Sequence, residues 1–112
     1  MEDLLKQKCV ACRADAPRVT DDELPDLLQE IPDWQPITKD SVLMLNKVFK
    51  FEDYAQALEF TQKVAALAEE EDHHPAILLE WGKVEVTWWT HKIGGLHKND
   101  FIAAAKTDAL NT

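Results

Sequence analysis

The sequence predicts an α+β domain: a two-layer sandwich in which a four-stranded antiparallel sheet carries its helices on one face, in the order α-β-β-α-β-β-α. Three observations carry this. Asp33–Phe51 and Ala76–His91 each read as two strands joined by a short turn. Between them lies an 18-residue segment, Asp53–Glu70, whose apolar residues recur at helical spacing. Helix-like segments precede the first strand pair and follow the second. Hairpins make neighbouring strands antiparallel, and such a sheet keeps its helices to one side.

The elements justify themselves in order. Thr20 and Glu23 stand three apart, as a capping box requires, and Leu24, Leu27, Leu28 and Ile31 follow at helical spacing until Pro32 stops the helix. Asp33–Thr38 holds Trp34 and Ile37, and a turn is expected at Lys39-Asp40. In Ser41–Phe51, Leu43, Leu45, Phe49 and Phe51 share a face that Lys47 interrupts. In Asp53–Glu70, Tyr54, Ala57, Phe60, Thr61, Val64, Leu67 and Ala68 fall on one side at about 100° per residue. Pro75 keeps His74 extended. Ala76–Trp81 is apolar and strand-like, and Gly82-Lys83 is expected to turn. Val84, Val86 and Trp88 then belong under the helices, with Glu85, Thr87, Trp89 and His91 on the opposite, more polar face. Gly94-Gly95 turns into a last helix, His97–Leu110, with Asp100 in its first turn.

A chain of 112 residues suits one domain over 1–112, with 1–20 as an N-terminal extension. A core of this size gains from self-association, and the final helix and the face bearing Trp89 are expected to offer the apolar surface. The formal charge of -9 excludes a phosphate backbone as the main partner, so no direct nucleic-acid contact is expected. No apolar run reaches the roughly 20 residues of a membrane helix, and the acidic start lacks a secretion signal. No membrane association and a cytoplasmic location are therefore expected. Cys9 and Cys12 form a single CxxC without a second pair or the strand–helix context of a redox motif. Incidental thiols are the ordinary reading.

Glu69–Asp100 concentrates the chemistry. It holds all four histidines, the three glycines and three of the four tryptophans. The adjacent His73 and His74 and the later His91 fall at element ends, with Glu69, Asp72 and Asp100 as carboxylate neighbours. Histidine titrates near pH ~6.5, so two or three in one pocket can serve as separate acid and base. Carboxylates can orient the rings. The plain alternative is that His73 and His74 cap a helix end and that Asp100 is an ordinary helix-start acid. A metal site is disfavoured, because neighbours on an extended segment point apart and HxH or HxxxH spacings are absent. No metal is expected.

The run Glu69, Asp72-His73-His74-Pro75, Val84, Val86, Thr90-His91, Gly95-Leu96 and Asp100 resembles the signature of the pterin-4a-carbinolamine dehydratases, also called dimerization cofactor of a homeobox transcription factor. The likeness extends over about Asp21–Leu110 and includes Trp34, Phe49–Phe51 and the long helix. It implies the same two-layer fold. It also implies dehydration of 4a-hydroxytetrahydrobiopterin to quinonoid dihydrobiopterin and water, recycling the pterin of aromatic amino acid hydroxylases. No cofactor is implied, and assembly as a homodimer or homotetramer is. On this resemblance His73, His74 and His91 are the catalytic set, and Glu69, Asp72, Pro75, Trp34, Trp89, Thr90 and Asp100 contact substrate, with Trp34 suited to stacking on the flat ring. Trp81 and Trp88 stand where the family often has tyrosine and leucine. His97 replaces the usual Ser or Thr cap, which predicts a weaker start to the last helix. The competing reading is a non-catalytic binding module, a dimerization cofactor or a regulator of the hydroxylase. The intact histidine set favours the enzyme.

Overall fold

The computed structural model describes residues 19–20, 22–90 and 95–111. Cys9, Cys12 and His91 lie outside the described residues. The elements are α1 (Leu24–Gln29), β1 (Gln35–Lys39), β2 (Val42–Lys50), α2 (Tyr54–Glu71), β3 (Ala76–Glu80), β4 (Lys83–Trp88) and α3 (Lys98–Leu110). The four strands form one antiparallel sheet in the order β1-β2-β4-β3, so both hairpins are present and β2 and β4 join them. The predicted architecture and element order hold.

Local chemistry sets the ends of these elements. Thr20 and Glu23 bond reciprocally: the Thr20 N–H donates to Glu23 Oε1 at 3.0 Å, and the Glu23 N–H donates to Thr20 Oγ1 at 3.2 Å. The Thr20 N–H, and after it the Thr20 hydroxyl donating to the same oxygen, hold the Glu23 carboxyl below its ordinary pKa. Asp53 caps α2 by accepting the Gln56 N–H at 2.8 Å. The β1–β2 loop is Asp40-Ser41, one residue later than expected, because both residues take positive φ (52° and 67°), the pattern a two-residue hairpin turn needs. The β3–β4 loop is Trp81-Gly82, again shifted by one residue, since Glu80 still pairs with Lys83. Gly82 is required there. Its φ is +70°, and a Cβ would lie 3.2 Å from the Phe51 carbonyl oxygen.

The core lies between the sheet and the helices. Val84, Val86 and Trp88 from β4 are 0% exposed, as the alternation predicts, and they meet Ala57, Phe60 and Val64 of α2 and Phe101 and Ala104 of α3 in one cluster. Burying side chains of this size contributes about 1.5–3 kcal/mol each. Lys47 does not break the inner face of β2. Its ammonium sits 4.6 Å from the Phe49 ring centre and 2.7 Å from Asp108 Oδ1 on α3. Two expectations are corrected. Tyr54 is exposed, because it opens the first turn of α2 before the helix reaches the sheet. The final helix offers little apolar surface, because Phe101, Ile102, Ala103 and Ala104 are all buried against the sheet and α2. Among the described residues the large apolar side chains that are exposed are Tyr54 and Leu58 on α2, Val48 on β2, Leu78 on β3 and Trp81 in its turn. No helix among the described residues is long and apolar enough to cross a membrane.

Candidate active site

The C-terminal end of α2, the start of β3, the end of β4 and the start of α3 meet at one corner of the sandwich. Asp72 ends α2 in the left-handed conformation (φ 51°, ψ 43°), and the His73 N–H returns to the Ala68 carbonyl at 3.1 Å. This reversal turns the chain from the helix into the edge strand β3. Because the segment after it is extended, successive side chains point to opposite sides. His73 therefore turns inward and is 3% exposed, while the His74 side chain faces out and is 54% exposed.

The inward ring enters a fully bonded network. His73 stacks on Trp88, with ring centres 5.3 Å apart and planes at 21°. Its Nε2 lies 2.6 Å from Asp100 Oδ1. The other oxygen of Asp100 accepts from Thr90 Oγ1 at 2.8 Å and from the His97 N–H at 2.9 Å. With two donors already aimed at this carboxylate, acceptance is its role, so His73 carries its hydrogen on Nε2. Thr90 is held in turn by a backbone bridge to Gly95. Trp88 donates through Nε1 to Thr107 Oγ1 at 3.1 Å, which fixes the face on which His73 lies. A half-buried ion pair, Lys106 with Glu71, ties α3 to the end of α2.

The expected weak cap at His97 is not found. The neutral ring accepts the Asn99 N–H on Nδ1 at 3.0 Å, and Asp100 returns the bond to the His97 N–H. Imidazole nitrogen thus replaces a hydroxyl in a complete capping box. Burial holds the His97 pKa below 6.5; the Asp100 carboxylate opposes this, and His73 adds a smaller downward push.

The other expected site residues distribute as follows. Glu69 accepts from or pairs with His74 Nε2 at 2.9 Å on the surface. Asp72 is exposed at the α2 terminus, and Pro75 is half-buried just before β3. Trp89 is half-buried on the open face of the sheet and lines a groove there. Trp34 stands apart. Its ring is 3% exposed, packs edge-on at 6.0 Å against Phe49 and donates through Nε1 to Asp108. It presents no face to a flat ligand, and its place is in the core. Trp88 and Thr107 are contributors that composition and spacing did not flag, since each acts through a partner distant in sequence.

Residues 17–110 match the family model for pterin 4 alpha carbinolamine dehydratase. The chain belongs to this family. A protein from Marinobacter nauticus, provisionally named a pterin-4-alpha-carbinolamine dehydratase, is 63% identical over 98% of this chain and 99% of its own. One from Nitrosococcus oceani with the same provisional name is 61% identical over 98% and 97%. Among solved structures, a transcriptional coactivator/pterin dehydratase from Brucella melitensis superposes with a TM-score of 0.77 at 31% identity, covering 86% of this chain and all of that one. A pterin dehydratase-like protein identified as a RuBisCO assembly factor in the alpha-carboxysome superposes at 0.59 with 33% identity, covering 70% of this chain and 88% of that one. The matched residues 17–110 include the Asp72-His73-His74-Pro75 run at the corner described above.

Proposed function

We propose that this protein dehydrates 4a-hydroxytetrahydrobiopterin to quinonoid dihydrobiopterin, in support of pterin-dependent aromatic amino acid hydroxylation. The observation that carries the reading is the His73–Asp100 pair at 2.6 Å, completed by Thr90 and set beside the outward-facing His74. A docking surface has no use for a buried, fully bonded imidazole next to an exposed one, whereas proton transfer does.

In the reaction the bond from C4a to its hydroxyl oxygen breaks and the oxygen leaves as water. The lone pair of the neighbouring ring nitrogen forms the new C=N bond, and that nitrogen gives up its proton. One group must protonate the leaving oxygen and another must take the nitrogen proton. We assign this work to His73, His74 and His91, with Asp100 fixing the tautomer and plane of His73. Glu69 orients His74 from the surface.

The solved relatives named as a coactivator and as an assembly factor supply the second reading, a binding module. The enzymatic loss of the carbinolamine, corrected for its spontaneous dehydration, separates the two. A dehydratase accelerates that loss and a docking module does not.

A further inference from the structure

We propose that the helix-free face of the sheet holds the recognition subsite for the heterocycle, with the Glu85 carboxylate binding its paired N–H donors and Trp89 covering its ring. The proposal rests on the dehydratase reading and adds residues to it.

β4 divides its side chains cleanly: Val84, Val86 and Trp88 go under the helices, and Glu85, Thr87 and Trp89 go to the open face. There a groove of about 290 Å³ is walled by Ile37, Met44, Ala76 and Trp89, with Thr87 and Glu85 along it. That is close to the lower end of small-molecule sites, which are mostly apolar with a few placed polar groups. The strand register ties this groove to the histidines. Ala76 pairs with Thr87, and Leu45 pairs with Trp88. Continuing both ladders places Met44 on one side of Trp89 and His74 on the other. His73, on the inner face, stacks on Trp88 diagonally, since the same register puts Pro75 opposite Trp88. A ring lying on Trp89 therefore has His74 at its edge.

The other end of the groove is polar in a specific way. Asn46 Nδ2 donates to Glu85 Oε2 and to Thr87 Oγ1, both at 3.0 Å. That arrangement fixes the carboxylate through one lone pair of Oε2. Among the described residues Oε1 of Glu85 has no recorded partner. A half-buried carboxylate with Oε1 open and a second lone pair on Oε2, on a groove with apolar walls, can accept two N–H groups side by side. The pterin's pyrimidine edge presents that pair in its 2-amino group and ring N–H, a fork like that of guanidinium. Glu85 and Trp89 are four residues apart, about 13 Å along the strand. That separation leaves room for a bicyclic ring between them. Lys39 and Asp40 stand at the β1 side of the groove, where the substituent of the reduced ring would emerge.

The test uses 7,8-dihydrobiopterin as a non-reacting probe, alongside its 2-oxo analogue, with wild type, Glu85→Gln and Trp89→Leu checked for folding by circular dichroism. Wild type is expected to prefer the 2-amino probe. Glu85→Gln should weaken binding of that probe about tenfold or more, erase the preference, and raise KM while leaving kcat within about twofold. Trp89→Leu should weaken both probes alike. Unchanged affinity and preference in Glu85→Gln, in a protein whose wild type dehydrates the carbinolamine, overturns the subsite and leaves the dehydratase reading standing. A wild type that neither dehydrates nor binds overturns both. A Glu85→Gln variant with altered mass in light scattering and unaltered pterin affinity makes the groove an interface between copies, and the proposal falls.

Discussion

Asp100 accepts three hydrogen bonds with two oxygens, from His73, Thr90 and the His97 backbone. It therefore couples the candidate site to the cap of α3, and the His97 ring completes that cap only while Nδ1 is an unprotonated acceptor. Burial lowers the His97 pKa in the folded protein. Between the lowered folded value and the unfolded value near 6.5 the unfolded chain binds more protons, so stability rises with pH across that window. The contribution is fully present above the unfolded value and is lost as pH falls through the folded one. His97→Ser keeps an acceptor at the cap but does not titrate. Thermal melts between about pH 5 and 8 should therefore show a shallower loss of stability on acidification in His97→Ser than in wild type. Equal slopes would show that this ring does not govern the cap. The sequence marked His97 as a departure from the usual cap, but it did not reveal that imidazole nitrogen can take the hydroxyl's place. That depends on the ring's rotamer and tautomer, which spacing does not encode.

Among the elements, long periodic segments were legible and turns were displaced by one residue. The α2 stripe and the β4 alternation predicted Ala57, Phe60, Val64, Val84, Val86 and Trp88 as core, and all six are buried. Burial of a whole face leaves little freedom of register. Lys47 looked like a fault in the β2 stripe because its partner, Asp108, lies 61 residues away on α3. Trp34 was expected to stack on the substrate only through the family resemblance, and its bond to Asp108, 74 residues away, was not readable from the sequence. The inward and outward turns of His73 and His74 could be read from alternation, but the carboxylate that each would meet could not. The turn at Gly82 gives a test at this scale. Ala there must adopt a left-handed φ of 70° with its Cβ 3.2 Å from the Phe51 carbonyl oxygen. Gly82→Ala should destabilise the fold by about 1–2 kcal/mol, measured by chemical denaturation. A variant as stable as wild type would mean that the loop relaxes to another turn.

For the whole molecule, α3 buries the apolar residues that the sequence marked for association, while Trp89 stays half-buried on the open face of the sheet. The structure offers Tyr54 and Leu58 one turn apart on α2, and Leu78 with Trp81 along the unpaired edge of β3, where Trp81 is 72% exposed. An edge strand with apolar side chains is a template for association. We expect a homodimer or homotetramer at micromolar concentration, and light scattering that gives the 12.8 kDa monomer would contradict this.

We propose that the corner joining α2, β3, β4 and α3 performs proton transfer on a pterin carbinolamine. The most direct measurement is its dehydration rate with wild type and with His73→Ala and His74→Ala, both confirmed as folded and corrected for the spontaneous reaction. Positioned acid–base groups contribute ~10²–10⁴-fold, so each variant should lose about tenfold or more. Wild-type rates in both folded variants would contradict the account.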